Sequence, residues 1–393
     1  MPLVRNETLE DAWESVLSSA LARRVDAKAL AVMVARQSAR YRGESVILAQ
    51  ADGIAARTLF WFARDVHKCA LPVHELLVAG AIPDRPLRVL DLGAGLGATS
   101  LGAVRALGGR RVVKHVTAVD NDPQALAILR RVASGAARAE LLPAIEELVT
   151  ETRDLAVHGW DRGLGEYDLV LAGLSFVELT RALGDETARG EAIATHLETA
   201  LAHAAPDGAL VVIEPATRDD ARALQRAREV LLARGVTLFA PCPHARACPM
   251  LASERDWCHE DLADVSLPKW LVPVAREAGL RWEGLTFAYL TLRRDARTLR
   301  DAVRGGHERS VLRLISPPIV TKGKVEAIAC GDVAGEVAAT RLLELAREAK
   351  RAVGPTLADA ARGDMLSLAS ELLLGEGKTV RVAPGVWSRL EKP

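Results

Sequence analysis

The segment Val89-Leu90-Asp91-Leu92-Gly93-Ala94-Gly95-Leu96-Gly97-Ala98-Thr99-Ser100 constrains this chain more than any other. An apolar run meets three glycines spaced G-x-G-x-G and then a helix-forming stretch, which predicts a strand, a tight turn and a helix N-terminus. Glycines remove Cβ atoms where a ligand must approach the backbone, and the first helical turn offers N–H donors. The spacing differs from the G-x-G-x-x-G of dinucleotide folds. Twenty-three residues after Gly97, an apolar strand ends at Asp120, where a carboxylate can accept hydrogen bonds from a ribose. A plainer reading of Asp120-Asn121-Asp122-Pro123 is a cap for the next helix.

Around this turn the chain alternates. Strands are expected at Arg88 to Leu92, Val116 to Asp120, Tyr167 to Ala172, Ala209 to Glu214, Val236 to Ala240 and Leu285 to Leu292, with a weaker one near Glu140 to Leu142. Helical periodicity fills the gaps, as in Asp122 to Ala133, Thr187 to Ala205 and Arg218 to Arg234. Near-continuous apolar strands alternating with helices predict a doubly wound, mostly parallel α/β sheet covered on both faces. Before it, Thr8 to Ala79 carries apolar residues at helical spacing (Trp13, Val16, Leu17, Ala20, Leu21), so residues 1–82 are expected to form a helical domain. The sheet domain is expected over 83–300, with a cysteine-rich insert at 241–284. A small α+β module should occupy 301–393, with strands at Ser310 to Ile315, Gly323 to Cys330 and Lys378 to Val382 and a helix around Arg341 to Ala352.

Lysine plus arginine (51) balance aspartate plus glutamate (51), so a nucleic-acid partner would have to be met by a local basic surface. One stretch qualifies. From Arg281 to Lys324 ten Lys/Arg face four Asp/Glu, among them Arg293, Arg294, Arg297, Arg300, Arg304, Arg309, Arg313, Lys322 and Lys324. They read either as phosphate contacts or as a solvated helix face. No apolar run reaches the ~20 residues of a membrane span, and the first dozen residues contain acids and no apolar core, so a cytoplasmic location without membrane contact is expected.

The five cysteines are unevenly spread. Cys242, Cys248 and Cys258 lie within Pro241-Cys242-Pro243-His244, Cys248-Pro249 and Trp257-Cys258-His259, and Cys330 follows after seventy-one residues. Three thiols so close together in a reducing compartment argue for a metal site rather than disulfides. Four thiolates can hold a 4Fe–4S cluster or a tetrahedral zinc, with His244 or His259 able to replace one ligand on zinc. Tight C-x-x-C knuckles are absent, which tilts the spacing toward the cluster. Cys69, in helical sequence near Trp61 and Phe62, reads as an ordinary buried thiol.

The glycine loop with Asp120 resembles the nucleotide-binding half of class I, Rossmann-like S-adenosylmethionine-dependent methyltransferases. That resemblance implies that Asp91 faces the methionine part of the cofactor, that Gly93, Gly95 and Gly97 line it, and that Asp120 holds its ribose. It also implies that the last two sheet strands pair as an antiparallel hairpin. The acceptor side carries no matching signature, since Gly173-Leu174-Ser175-Phe176 stands where amine methyltransferases of nucleic acids show an acid or amide before Pro-Pro. Ser175 and Glu178 could bind substrate there, and no catalytic residue is assigned.

Taken with the Cys-Pro steps, Asp256-Trp257-Cys258-His259, Phe287-Ala288-Tyr289-Leu290 and Ser316-Pro317-Pro318, the chain resembles the methyltransferase-like family of small-ribosomal-subunit proteins from about residue 30 onward. The resemblance implies a 4Fe–4S cluster on Cys242, Cys248, Cys258 and Cys330. It further implies binding to the small ribosomal subunit and its 16S-type rRNA; off the ribosome a monomer is expected. Methyl transfer to rRNA, a non-catalytic role in ribosome assembly, and a small-molecule methyltransferase remain as three readings.

Overall fold

The structure, a computed structural model, describes residues 8–302, 310–333, 336–351, 356–368, 373–375, 379–382 and 387–389. The chain begins with helices α1 (Ala12–Leu21), α2 (Ala27–Tyr41) and α3 (Gln50–Ala56), a π-helical turn at Arg57–Trp61, then α4 (Phe62–Asp65) and α5 (Ala70–Val78). Trp13, Leu17, Val34, Ile54 and Phe60 are buried from this unit. They share one apolar cluster with Ala125, Ile128, Val132 and Ala136 from the sheet-covering helix α7 (Pro123–Arg138), so the packing runs across the boundary expected at residue 82. At ~1.5–3 kcal/mol for each large apolar side chain buried, this contact fixes the helices onto the sheet.

That sheet contains β1 (Leu87–Leu92), β2 (Val113–Asp120), β3 (Glu147–Thr152), β4 (Tyr167–Gly173), β5 (Ala204–Glu214), β6 (Thr237–Ala240), β7 (Glu260–Ser266) and β8 (Glu283–Arg293). Their order is β3-β2-β1-β4-β5-β8-β6, with β7 paired to β8. The first five are parallel, β8 runs antiparallel to β5, and β6 antiparallel to β8 as expected. Helices α6 (Ala98–Leu107), α7, α8 (Phe176–Thr180), α9 (Glu186–Ala202), α10 (Arg218–Ala233) and α11 (Val272–Glu277) complete this part. Its fold is the class I methyltransferase arrangement expected from the sequence. The weak strand near Glu140 to Leu142 is absent, and the edge strand forms at β3 instead. Every described position of β3 is at least partly exposed, so it lacks the apolar run that marked its neighbours.

After β8 a second sheet is built from β9 (Ser310–Leu314), β10 (Ile319–Thr321), β11 (Lys324–Val333), β12 (Glu336–Leu345), β13 (Met365–Leu368), β14 (Leu373–Gly375), β15 (Thr379–Arg381) and β16 (Trp387–Arg389). The expected helix from Arg341 is largely a strand. Residues 336–345 pair in unbroken register with β11, and only α12 (Ala346–Ala349) is helical. The helical period was misleading because the inner face of β12 alternates Thr340, Leu342 and Glu344, and a buried glutamate hides the two-residue repeat. Lys378, at the start of the last expected strand, lies outside the described residues. Among the described residues no helix is long and apolar enough to cross a membrane.

Candidate functional site

The glycine loop occupies the carboxyl ends of β1 and β2, and its three glycines do different work. Gly93, Gly95 and Gly97 all have positive φ (68°, 51° and 82°), backbone that residues with a Cβ rarely adopt. A Cβ on Gly93 would stand 2.5 Å from the Ser175 Cβ, and one on Gly97 would stand 2.7 Å from Leu129 Cγ. Those two glycines therefore permit close packing. A Cβ on Gly95 would meet only Asp120 Oδ2, at 4.0 Å, so Gly95 is the position where the loop leaves space beside the acid. Gly95 N donates to Asp120 Oδ2 and Asp122 N to Asp120 Oδ1, both at 2.8 Å. Asp122, not Asp120, caps α7, accepting from Gln124 and Ala125 ahead of Pro123. The two readings of that acidic cluster thus divide between neighbouring residues.

Asp91 is fully buried beneath the loop. Its Oδ2 accepts from Ser100 N in the first turn of α6 at 3.1 Å, and its Oδ1 has no hydrogen-bond partner. Burial, opposed by Ser100 and reinforced by the nearby Asp120, pushes its carboxyl up to about 6.

The loop after β4 forms the other lip. Leu174 has φ 60°, a strained value for a branched residue, and Ser175 Oγ donates to Leu92 O at 3.2 Å, which clamps this lip to the glycine loop. Ser175 is thereby engaged in packing. Glu178 stands exposed at the rim, where desolvation by surrounding protein raises its carboxyl above the usual range, Arg181 and Arg57 lower it, and Asp220 and Asp120 push it up again. Sequence reasoning missed the opposite wall, which comes from the N-terminal helices. Arg57, in the π-helical turn, pairs with Asp122 at 2.7 Å, and Arg181 donates to Tyr41 O at 2.9 Å. A π-helical turn often marks a functional site, but nothing in the local sequence announced it.

The structure brings the four named thiols together. Cys242, Cys248 and Cys258 line one cavity with Pro241, Gln225 and Arg228. Cys330, on β11, lies outside that lining, with its Sγ 3.5 Å from His244 Nε2 in the insert. Burial raises the Cys258 and Cys330 thiols first; Cys242, Glu260 and Cys248 add to the rise at Cys258, and Cys242, Cys258 and Cys248 to that at Cys330. Burial also raises the Cys248 thiol, and thiolates gathered in such surroundings need a positive charge beside them. Among the described residues, no group of three or more His, Cys, Asp or Glu is arranged to hold a single metal ion.

Helix α10 is the platform for the insert. Arg222 donates to Ser253 O (2.6 Å) and Asp256 O (2.8 Å), Gln225 to Cys258 O (3.0 Å), and Glu229 accepts from Cys248 N (3.2 Å). His259 stacks on Trp257, 5.7 Å between ring centres, and its carbonyl accepts from Arg362. Cys69 is buried, and burial, then Asp91, pushes its thiol up.

Two arginines of the basic stretch are internal, whereas Arg294 and Arg297 are exposed. Arg293 is 1% exposed and binds Asp295, Ala81 O and Asp207 O, and Arg313 is 2% exposed between Glu75 and Glu260. Arg297 donates to Gly80 O and Ala79 O, and Arg294 to Ala204 O. These guanidiniums satisfy backbone carbonyls where segments meet. Arg304 and Arg309 lie outside the described residues.

The sequence model of the family described as mitochondrial small ribosomal subunit Rsm22 matches residues 74–349. None of the curated proteins matches the chain. Solved structures are similar to this chain at low identity and low TM-score. The precorrin-6y C5,15-methyltransferase of Geobacter metallireducens is 15% identical over 56% of this chain and 87% of its own, with TM-score 0.31. TrmN of Thermus thermophilus is 20% identical over 57% and 48%, with TM-score 0.31. A SAM-dependent methyltransferase of Agrobacterium tumefaciens is 15% identical over 57% and 62%, with TM-score 0.33. The chain thus spans about half to two thirds of the length of the last two.

Proposed function

We propose that this chain, which belongs to the Rsm22 family of mitochondrial small ribosomal subunit proteins, binds S-adenosylmethionine at its glycine loop and works on the small ribosomal subunit. The observation that carries the cofactor part is the bond from Gly95 N to Asp120 Oδ2, beside open space at Gly95. Asp120 is a preoriented acceptor at the strand end, the place where open α/β sheets bind ligands. When bound, S-adenosylmethionine supplies an activated methyl group on a sulfonium. Asp120 accepts from the ribose, Gly95 lets that sugar approach, and buried Asp91 holds the loop and places partial negative charge under the methionine end.

The same reading gives Cys242, Cys248, Cys258 and Cys330 to a 4Fe–4S cluster. A zinc draws all its sulfurs to ~2.3 Å from one point, whereas a cluster binds each thiolate to a different iron. Three of the four thiols line one cavity and the fourth interacts electrostatically with them, and the absence of tight C-x-x-C knuckles supports the second case. Cys330 then joins the second sheet to the insert, so the group is a staple between them. Contact with small-subunit rRNA rests on family membership, because Arg293 and Arg313 are buried within the protein.

A non-catalytic assembly role is the second reading. It is favoured by the β4 lip, where Ser175 is spent on Leu92 O and only exposed Glu178 is left to handle a proton. Incubating assembling small subunits with methyl-labelled cofactor separates the two. Label in rRNA establishes transfer, while cofactor binding and subunit association without label support the assembly role. Absence of both cofactor binding and subunit association overturns the proposal.

A further inference from the structure

We propose that Arg228, which lies outside the thiol set, is the positioning residue that holds the charge of that set, directly at Cys242 and through His244 at Cys330. The inference rests on the thiolate-cluster reading and deepens it. Arg228 projects from α10 into the wall of the cavity, where Leu224, Gln225 and Cys242 are its neighbours, and it is 1% exposed. Burying a guanidinium is costly unless its charge and its donors are matched. One match is Glu229, next along the helix. The other side of the guanidinium faces sulfur and imidazole. Arg228 Nε donates to Cys242 Sγ at 3.3 Å, while Nη2 donates to His244 O at 2.8 Å and lies 3.4 Å from His244 Nδ1.

His244 extends this reach. Its Nδ1 also lies 3.2 Å from Arg246 O, and its Nε2 lies 3.5 Å from Cys330 Sγ. In a neutral imidazole the two Nδ1 contacts demand opposite tautomers, since a carbonyl only accepts and a guanidinium only donates. The sulfur decides between them. A ligating Cys330 is a thiolate and can only accept, so Nε2 carries the proton and Nδ1 accepts from Arg228. One guanidinium thereby organises two N–H···S bonds, to Cys242 and to Cys330, on thiolates from two different parts of the chain. Donors to ligand sulfurs withdraw charge and favour the reduced form of a cluster, so the pair raises its potential.

The test uses full-length protein purified without oxygen, as wild type, Arg228→Lys, Arg228→Gln and His244→Ala. Iron content is measured first, and the visible absorbance is then titrated with dithionite, which supplies the single electron. The expected result is retained iron with a more negative midpoint. Arg228→Gln should shift the reduced-to-oxidised ratio at least tenfold at fixed potential, ~59 mV for a one-electron couple, with Arg228→Lys intermediate and His244→Ala shifted in the same direction. Iron-loaded variants with the wild-type midpoint overturn the inference and leave Arg228 as a packing cation. If the Arg228 variants lose their iron, His244→Ala decides alone, and a wild-type midpoint there overturns the inference. Wild-type protein without iron overturns the cluster reading itself.

Discussion

Arg313 and Glu75, 238 positions apart, form an ion pair at 2.7 Å with both side chains 2% exposed. Arg313 also binds Glu260, and Tyr289 donates to the second Glu75 oxygen at 2.6 Å. One guanidinium thus joins α5, β7 and β9, and the Glu75–Tyr289 bond brings in β8. In the second sheet Arg313 pairs with Cys330 across β9 and β11. The network sits beside the thiol cavity and aligns the strand that carries its fourth thiol.

Replacing Arg313 with Gln should destabilise the protein by about 3–5 kcal/mol, because it strands two buried carboxylates. The loss should depend on pH. Burial holds the Glu75 carboxyl above its ordinary range, and Arg313 pulls it back. A carboxyl with a raised folded pKa binds more protons folded than unfolded, so its stability is full below the unfolded pKa and falls as pH rises through the folded one. Without Arg313 that rise is larger. The urea midpoint of the variant should therefore approach that of wild type between roughly pH 8 and pH 5, and a deficit constant across this range would count against the pair.

The order of the first sheet and the place of the glycine loop were legible because apolar strands and a G-x-G-x-G turn are local signals. The division of labour within the loop was not, since it depends on Ser175 and Leu129, which approach Gly93 and Gly97 only in the folded chain. The thiols could be named from cysteine chemistry and resemblance, whereas α10 as their platform could not, because Arg228 reads in sequence as one more surface cation. Arg293 and Arg313 misled for the same reason. Charge in a sequence does not show whether a guanidinium meets water, phosphate or a buried carbonyl.

Asp120→Ala should weaken S-adenosylmethionine binding by about ten- to a hundredfold, the worth of a charge-assisted hydrogen bond. Gly95→Arg should fill the space beside Asp120 and act in the same direction. Calorimetry with the cofactor and its demethylated product checks both, and unchanged affinity in both variants would remove the loop from cofactor binding.

Arg293→Ala should cost about 2–4 kcal/mol by leaving the Ala81 and Asp207 carbonyls and the Asp295 carboxylate short of a partner. The salt dependence of rRNA binding should not change. A flatter slope of log affinity against log salt at unaltered stability would return this arginine to the nucleic-acid surface.

Cys330→Ser should release metal and expose the second sheet to protease together, since binding energy at a structural metal site is also folding energy. Cys69→Ser, at a buried thiol outside the cavity lining, should leave the metal content intact. Equal metal loss from both variants would show that the effect is general destabilisation.

The most direct measurement is the iron, acid-labile sulfide and zinc content per chain of wild-type protein purified and kept without oxygen. Thiolate ligation of a 4Fe–4S cluster by Cys242, Cys248, Cys258 and Cys330 predicts brown protein with about four irons and four sulfides per chain. Colourless protein carrying a single zinc, or no metal with the second sheet still intact, would contradict it.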